Sequence, residues 1–65
     1  MIVKVINIKS LESDYFQNVT LKKIRIGELK YVWDIMSNKT GEVVDYNVSD
    51  YIVLIYSVEF GWINA

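Results

Sequence analysis

Residues 19–48 read VTLKKIRIGELKYVWDIMSNKTGEVVDYNV, and the pairing within this stretch decides the fold. Gly27-Glu28 suits a two-residue II′ hairpin, because glycine takes the positive φ required at the first central position. Ile26 then faces Leu29 and Ile24 faces Tyr31. Strict alternation next sets Lys22 against Trp33, which breaks the apolar stripe. A β-bulge at Lys22-Lys23 restores it, with Leu21 against Trp33 and Val19 against Ile35. Further on, Asn38-Lys39-Thr40-Gly41 makes a four-residue turn with Gly41 in the left-handed region, so Ser37 pairs with Glu42. That register puts Ile35 opposite Val44, Trp33 opposite Tyr46 and Tyr31 opposite Val48. Both turns send Leu29, Tyr31, Trp33 and Ile35 inward and Lys30, Val32 and Asp34 outward, which predicts a three-stranded meander.

Outward from the meander, Met1 to Ile8 reads as a strand with Met1, Val3 and Val5 on one face. Ile2, Ile6 and Ile8 lie on the other, interrupted by Lys4. Residues 10–18 lose period two, while Leu11, Tyr15, Phe16 and Val19 share a helical face. A short helix over 10–18, or a folded loop, fits there. Tyr51 to Phe60 is apolar on both faces, with Tyr51, Val53 and Ile55 on one and Ile52, Leu54, Tyr56, Val58 and Phe60 on the other. Such a strand is either covered on both sides or part of a protein interface. No repeat or linker stands out. The expectation is one small, mainly β domain over 1–65, a five-stranded small barrel or strongly bent antiparallel sheet of SH3-like or OB-like architecture.

One segment resembles the second half of SH3 domains: the Trp33 strand, the Thr40-Gly41 hairpin, and Ser49-Asp50-Tyr51-Ile52 where that family has a Pro-Ser-Asn-Tyr-Val segment. The family's N-terminal aromatic motif, paired Trp and groove Pro are missing. The resemblance therefore implies an architecture and carries no peptide-binding residues with it.

Composition narrows the chemistry. The chain has neither Cys nor His, which removes disulfides, thiolate nucleophiles, structural zinc and histidine general bases together. No cofactor and no catalytic set is expected. The longest apolar run, Tyr51 to Tyr56, falls far short of the roughly 20 residues that span a bilayer. No leader pattern opens the chain, so a cytoplasmic location in a bacterial or infected host cell is expected, and three Asn-x-Ser/Thr triplets are read as chance. The bias toward Ile, Lys, Asn and Tyr suits an AT-rich coding sequence, as in a low-GC bacterium or its phages and mobile elements.

Net charge is −1, but its distribution is two-sided. Lys4, Lys9, Lys22, Lys23, Arg25 and Lys30 outnumber Glu12, Asp14 and Glu28 up to residue 30. Beyond it, Lys39 stands against Asp34, Glu42, Asp45, Asp50 and Glu59.

Three groups of residues are candidate sites. Lys22, Lys23, Arg25 and Lys30 form a basic group for phosphates or nucleic acid, with Arg25 opposite Lys30 in the predicted register; the competing reading is that edge lysines block sheet-to-sheet aggregation. Asp34 opposite Asp45 is a carboxylate pair, and Asp45-Tyr46-Asn47-Val48-Ser49 starts like a calcium loop. That loop fails where Asp50 replaces its glycine and Tyr56 its bidentate glutamate, leaving solvated acids and no metal site. Tyr56, Phe60, Trp62 and Ile63 are the third group, an apolar surplus beyond what so small a core can absorb, available to another protein or a second copy.

The sequence therefore points to a non-enzymatic interaction protein that binds and modulates or inhibits a larger protein, in the manner of a phage or mobile-element accessory factor. Homo-oligomerisation is a further expectation. The alternative is a small-barrel nucleic-acid binder using the Lys/Arg patch.

Overall fold

A computed structural model describes all of residues 1–65. Seven strands form, β1 Ile2–Asn7, β2 Ser13–Gln17, β3 Val19–Gly27, β4 Lys30–Ser37, β5 Val43–Asn47, β6 Tyr51–Ser57 and β7 Gly61–Asn64. They make two antiparallel sheets, a first of order β2-β1-β6-β7 and a second of order β3-β4-β5. No strand pairs between the two sheets and no helix is present. Nothing in the chain is a helix long and apolar enough to cross a membrane.

Two strands, β2 and β7, lie beyond the expected five. Residues 10–18 are not helical: Ser13–Gln17 pairs with β1, placing Phe16 against Val3 and Asp14 against Val5. A helix of two turns is marginal on its own, whereas pairing with β1 satisfies the backbone. The turn before it closes after a single round: the Leu11 amide donates to Asn7 O at 2.8 Å, and Leu11 itself, at φ 63°, leaves the helical region, so no helix continues from it. At the other end, Gly61, with φ 75°, turns the tail back as β7 along β6.

The β4–β5 register is as expected: Ile35 faces Val44, Trp33 faces Tyr46 and Asp34 faces Asp45, with Gly41 at φ 78° and the Ser37 amide donating to Glu42 O at 2.8 Å. The β3–β4 register is different. Leu29, not Gly27, takes the left-handed conformation, at φ 58°, and the irregularity lies between Arg25 and Gly27, not at Lys22-Lys23. Ile26 is the extra residue. Alternation then runs unbroken, with Leu21 facing Ile35, Lys23 facing Trp33, Arg25 facing Tyr31 and Lys22 facing Asp34. Electrostatics explains the preference. The expected register put Arg25 against Lys30, whereas the observed one sets Lys22 against a carboxylate and lays the Lys23 ammonium over the Tyr31 and Trp33 rings, at 5.2 and 5.7 Å.

A repeat invisible in residue identity becomes plain in the pairing. Exchanging β1, β2 and β3 with β4, β5 and β6 maps the order β2-β1-β6 of one sheet onto β5-β4-β3 of the other. The registers follow: Val3 pairs with Phe16 and Ile55, and Trp33 correspondingly with Tyr46 and Lys23. The first turns match as well, Asn7-Ile8-Lys9-Ser10-Leu11-Glu12 with Ser37-Asn38-Lys39-Thr40-Gly41-Glu42. In both, the first side chain accepts amides from the turn and the last residue's carbonyl accepts the first residue's N–H. The core obeys the same exchange. Val3, Val5, Val19, Ile35 and Val53 are buried, with Phe16, Leu21, Trp33, Tyr46 and Tyr51 packed on them. These ten residues fall into pairs related by the exchange: Val3 with Trp33, Val5 with Ile35, Phe16 with Tyr46, Val19 with Tyr51, and Leu21 with Val53.

Asn18 carries the chain from one sheet to the other in a single residue at φ 52°, and its carbonyl accepts the Asn38 amide at 3.0 Å. Across the core, the Tyr46 hydroxyl donates to Asp14 Oδ2 at 3.3 Å, tying β5 to β2. Burial, and then the Asp14 carboxylate, holds that hydroxyl above the usual phenol range.

Leu11, at φ 63°, stands where its counterpart is Gly41. A branched side chain in the left-handed region is strained, and this one is exposed. Leu11→Gly is expected to raise stability by about 1 kcal/mol, read as a higher urea midpoint at unchanged slope. A lower midpoint would show that the leucine is held by contacts the fold needs.

Candidate interaction surfaces

Only six side chains are buried, so a chain that is 52% hydrophobic leaves large apolar groups outside. On the first sheet they are concentrated on the face turned away from the core. Pairing places Lys4 beside Tyr15 and Leu54, Ile6 beside Ile52, and Tyr56 beside Trp62 on that outer face, with Ile2 on the same side of β1. The aromatic rings form a connected group: Trp62 lies 5.4 Å from Tyr56, edge to face, and 6.1 Å from Tyr15. Lys4 Nζ sits over both Tyr15 and Trp62, at 5.4 and 5.7 Å from the ring centroids. Tyr15 is 61% exposed and Trp62 37%, and Ile2, Ile52 and Tyr56 are exposed too.

Of the four interface residues expected from sequence, this surface brings together Tyr56 and Trp62. Ile63 pairs with Ile55 and points to the other side of the sheet. Phe60 stands alone in the β6–β7 turn, 72% exposed, its amide donating to Ser57 Oγ at 3.2 Å. Sequence reasoning missed Lys4 and Tyr15. Lys4 read as an interruption of an apolar face, when it is the cation on which two rings converge. Tyr15 was hidden by the helical reading of its segment.

The basic group is split by the β-strand alternation. Lys22 and Lys30 lie on the outer face of the second sheet; Lys23 and Arg25 lie on its inner face, beyond the reach of the core, next to half-exposed Tyr31 and Trp33. The Arg25 guanidinium Nε also donates to Gly27 O at 3.1 Å.

Asp34 and Asp45 face each other across β4 and β5, as expected. A side-chain hydrogen bond with Asp45, then burial and the Asp45 charge, raise Asp34 above the ordinary carboxylate value of 3.8, with Lys22 acting the other way. A carboxyl whose folded pKa is raised binds its proton more tightly in the folded state, so this pair favours folding as pH falls from neutrality through that raised value toward 3.8. Asp45→Asn is therefore expected to raise the melting temperature at pH 7, with the gain over wild type shrinking as pH falls. A gain that is constant with pH would remove the shared proton from the explanation. No group of three or more acidic, Cys or His side chains is placed to hold a metal.

No family model, curated protein or solved structure matches the chain. The surfaces themselves therefore carry the functional reading.

Proposed function

We propose that the protein is a non-enzymatic binding module that docks on, and modulates or inhibits, a larger protein through the outer face of the β2-β1-β6-β7 sheet. The observation that carries this is the exposed aromatic group Tyr15, Tyr56 and Trp62 gathered around Lys4. Exposed aromatic rings at the centre of an apolar patch supply contact area at low entropic cost, and such residues dominate measured binding energies. Lys4 adds a charge that selects a partner with a facing carboxylate. A phage or mobile-element accessory factor acting inside a bacterial cell suits such a module, and the small-barrel reading of the two sheets around their shared core accompanies it. Self-association through the same face is a weaker use of it, because a two-fold contact would bring two Lys4 side chains together.

A nucleic-acid reading draws on Lys23 and Arg25 beside the rings of Tyr31 and Trp33, the kind of side chain on which bases stack. The acidic side chains that follow in β4 and β5 oppose a polyanion. Paired affinity capture separates the two readings. The wild type and a variant with Lys22, Lys23, Arg25 and Lys30 all replaced by Glu are used as baits in host lysate. Equal recovery of one stoichiometric protein by both supports the aromatic face. Recovery of nucleic acid by the wild type alone, with a log-log salt slope of roughly −3 to −4, replaces it with the second reading.

A further inference from the structure

The internal exchange of halves is broken at one place, and that place is an open strand edge. In the first sheet β6 lies between β1 and β7. Its counterpart β3 pairs with β4 alone, so nothing occupies the position equivalent to β7. The backbone shows which groups are left over. Val48 donates to Tyr31 O at 3.0 Å and Ser37 to Glu42 O at 2.8 Å, so the odd residues of β4 direct their backbone to β5 and the even ones to β3. Leu21, Lys23 and Arg25 face odd residues of β4, and their N–H and C=O groups therefore point away from it. Their counterparts Val53, Ile55 and Ser57 direct theirs to β7, as the Ala65 amide donating to Val53 O at 3.0 Å shows.

We propose that the β3 edge is a second binding site, independent of the aromatic face, that takes an extended acidic segment of another protein as an added antiparallel strand. The intramolecular β6–β7 pairing supplies the template. Where β7 sets Ile63 against Ile55 and Gly61 against Ser57, the added strand meets Lys23 and Arg25 and presents carboxylates to them. Where β7 sets Trp62 against Tyr56, it meets Ile24, 37% exposed, and presents an apolar side chain. The recognised pattern is an acidic residue, an apolar residue and an acidic residue in extended conformation. Backbone bonds give such augmentation its affinity and alternate side chains its specificity. The same cations disfavour a second copy of β3 on this edge, since two basic edges repel.

The test uses the full-length protein and a labelled acetylated, amidated peptide Thr-Glu-Val-Glu-Val-Glu-Thr, followed by fluorescence anisotropy and amide exchange. Expected are saturable binding, amide exchange slowed at least tenfold at Leu21, Lys23 and Arg25, and at least tenfold weaker binding of the same peptide N-methylated at its three Glu residues. The folded variant Lys23→Glu/Arg25→Glu is expected to lose at least tenfold in affinity, while Tyr56→Ser/Trp62→Ser binds the peptide within twofold of wild type. Unchanged exchange at those three amides, or equal binding of the N-methylated peptide, overturns the proposal. So does tighter binding of a ten-residue oligothymidylate that depends on Lys23 and Arg25, which would make this edge a nucleic-acid surface.

Discussion

Ile35→Ala is expected to destabilise the protein by about 2–5 kcal/mol, enough to leave it largely unfolded at 25 °C. Ile35 is 1% exposed and is the bulkiest of the side chains sealed off completely, the others being Val3 and Val5. It lies on the central strand of its sheet, and facing it in its own sheet are Leu21 on one side and Val44 on the other. A domain of this size has a core that rarely supplies more than about 3–5 kcal/mol in net stability, so no reserve absorbs such a cavity. Ile35→Val removes one methylene and is expected to cost about 0.5–1.5 kcal/mol, shifting the thermal midpoint without abolishing the transition. Circular dichroism melts of both variants check the pair. A cooperative Ile35→Ala transition near the wild-type midpoint would mean that the two sheets do not meet over this residue.

The second large effect concerns binding and not stability. Tyr56→Ser/Trp62→Ser removes two of the three aromatic groups from the outer face, leaving Tyr15, and does not touch the buried cluster. Truncation of a central aromatic anchor costs about 2 kcal/mol or more, so the pair is expected to weaken binding of the captured protein at least a hundredfold. Loss of fold is controlled by the melting curve, in which a modest decrease is expected because Tyr56 is 46% and Trp62 37% exposed. Affinity within threefold of wild type for a folded variant would place the contact elsewhere.

What the sequence made legible follows from where local rules suffice. The β4–β5 hairpin was readable to the residue, because a glycine in the left-handed position and an alternating strand agree on one register. The β3–β4 hairpin was not. Gly27 is the residue a turn rule selects, yet Leu29 occupies the positive-φ position, and the alignment that sets Lys22 against Asp34 and Lys23 over the Tyr31 and Trp33 rings is the one adopted. Strand β2 was missed because its partner is β1, a tertiary choice that overrides the local pattern of Tyr15 and Phe16. The repeat escaped notice because its counterparts share burial and not identity: Val3 stands where the other half has Trp33, and Lys23 where it has Ile55. Tyr56 and Trp62 were legible as apolar surplus. Their union with Lys4 and Tyr15 was not, since it requires knowing that β1 separates β2 from β6.

The role of the outer aromatic face is tested most directly by site-specific photocrosslinking in host cells. A benzophenone amino acid replaces Tyr15 on the outer face of the first sheet or, separately, Asp45 on the outer face of the second. A discrete adduct with one larger protein is predicted from position 15, competed away by excess wild-type protein, with none from position 45. An adduct from position 45 with none from position 15 would contradict the assignment of the aromatic face as the docking surface.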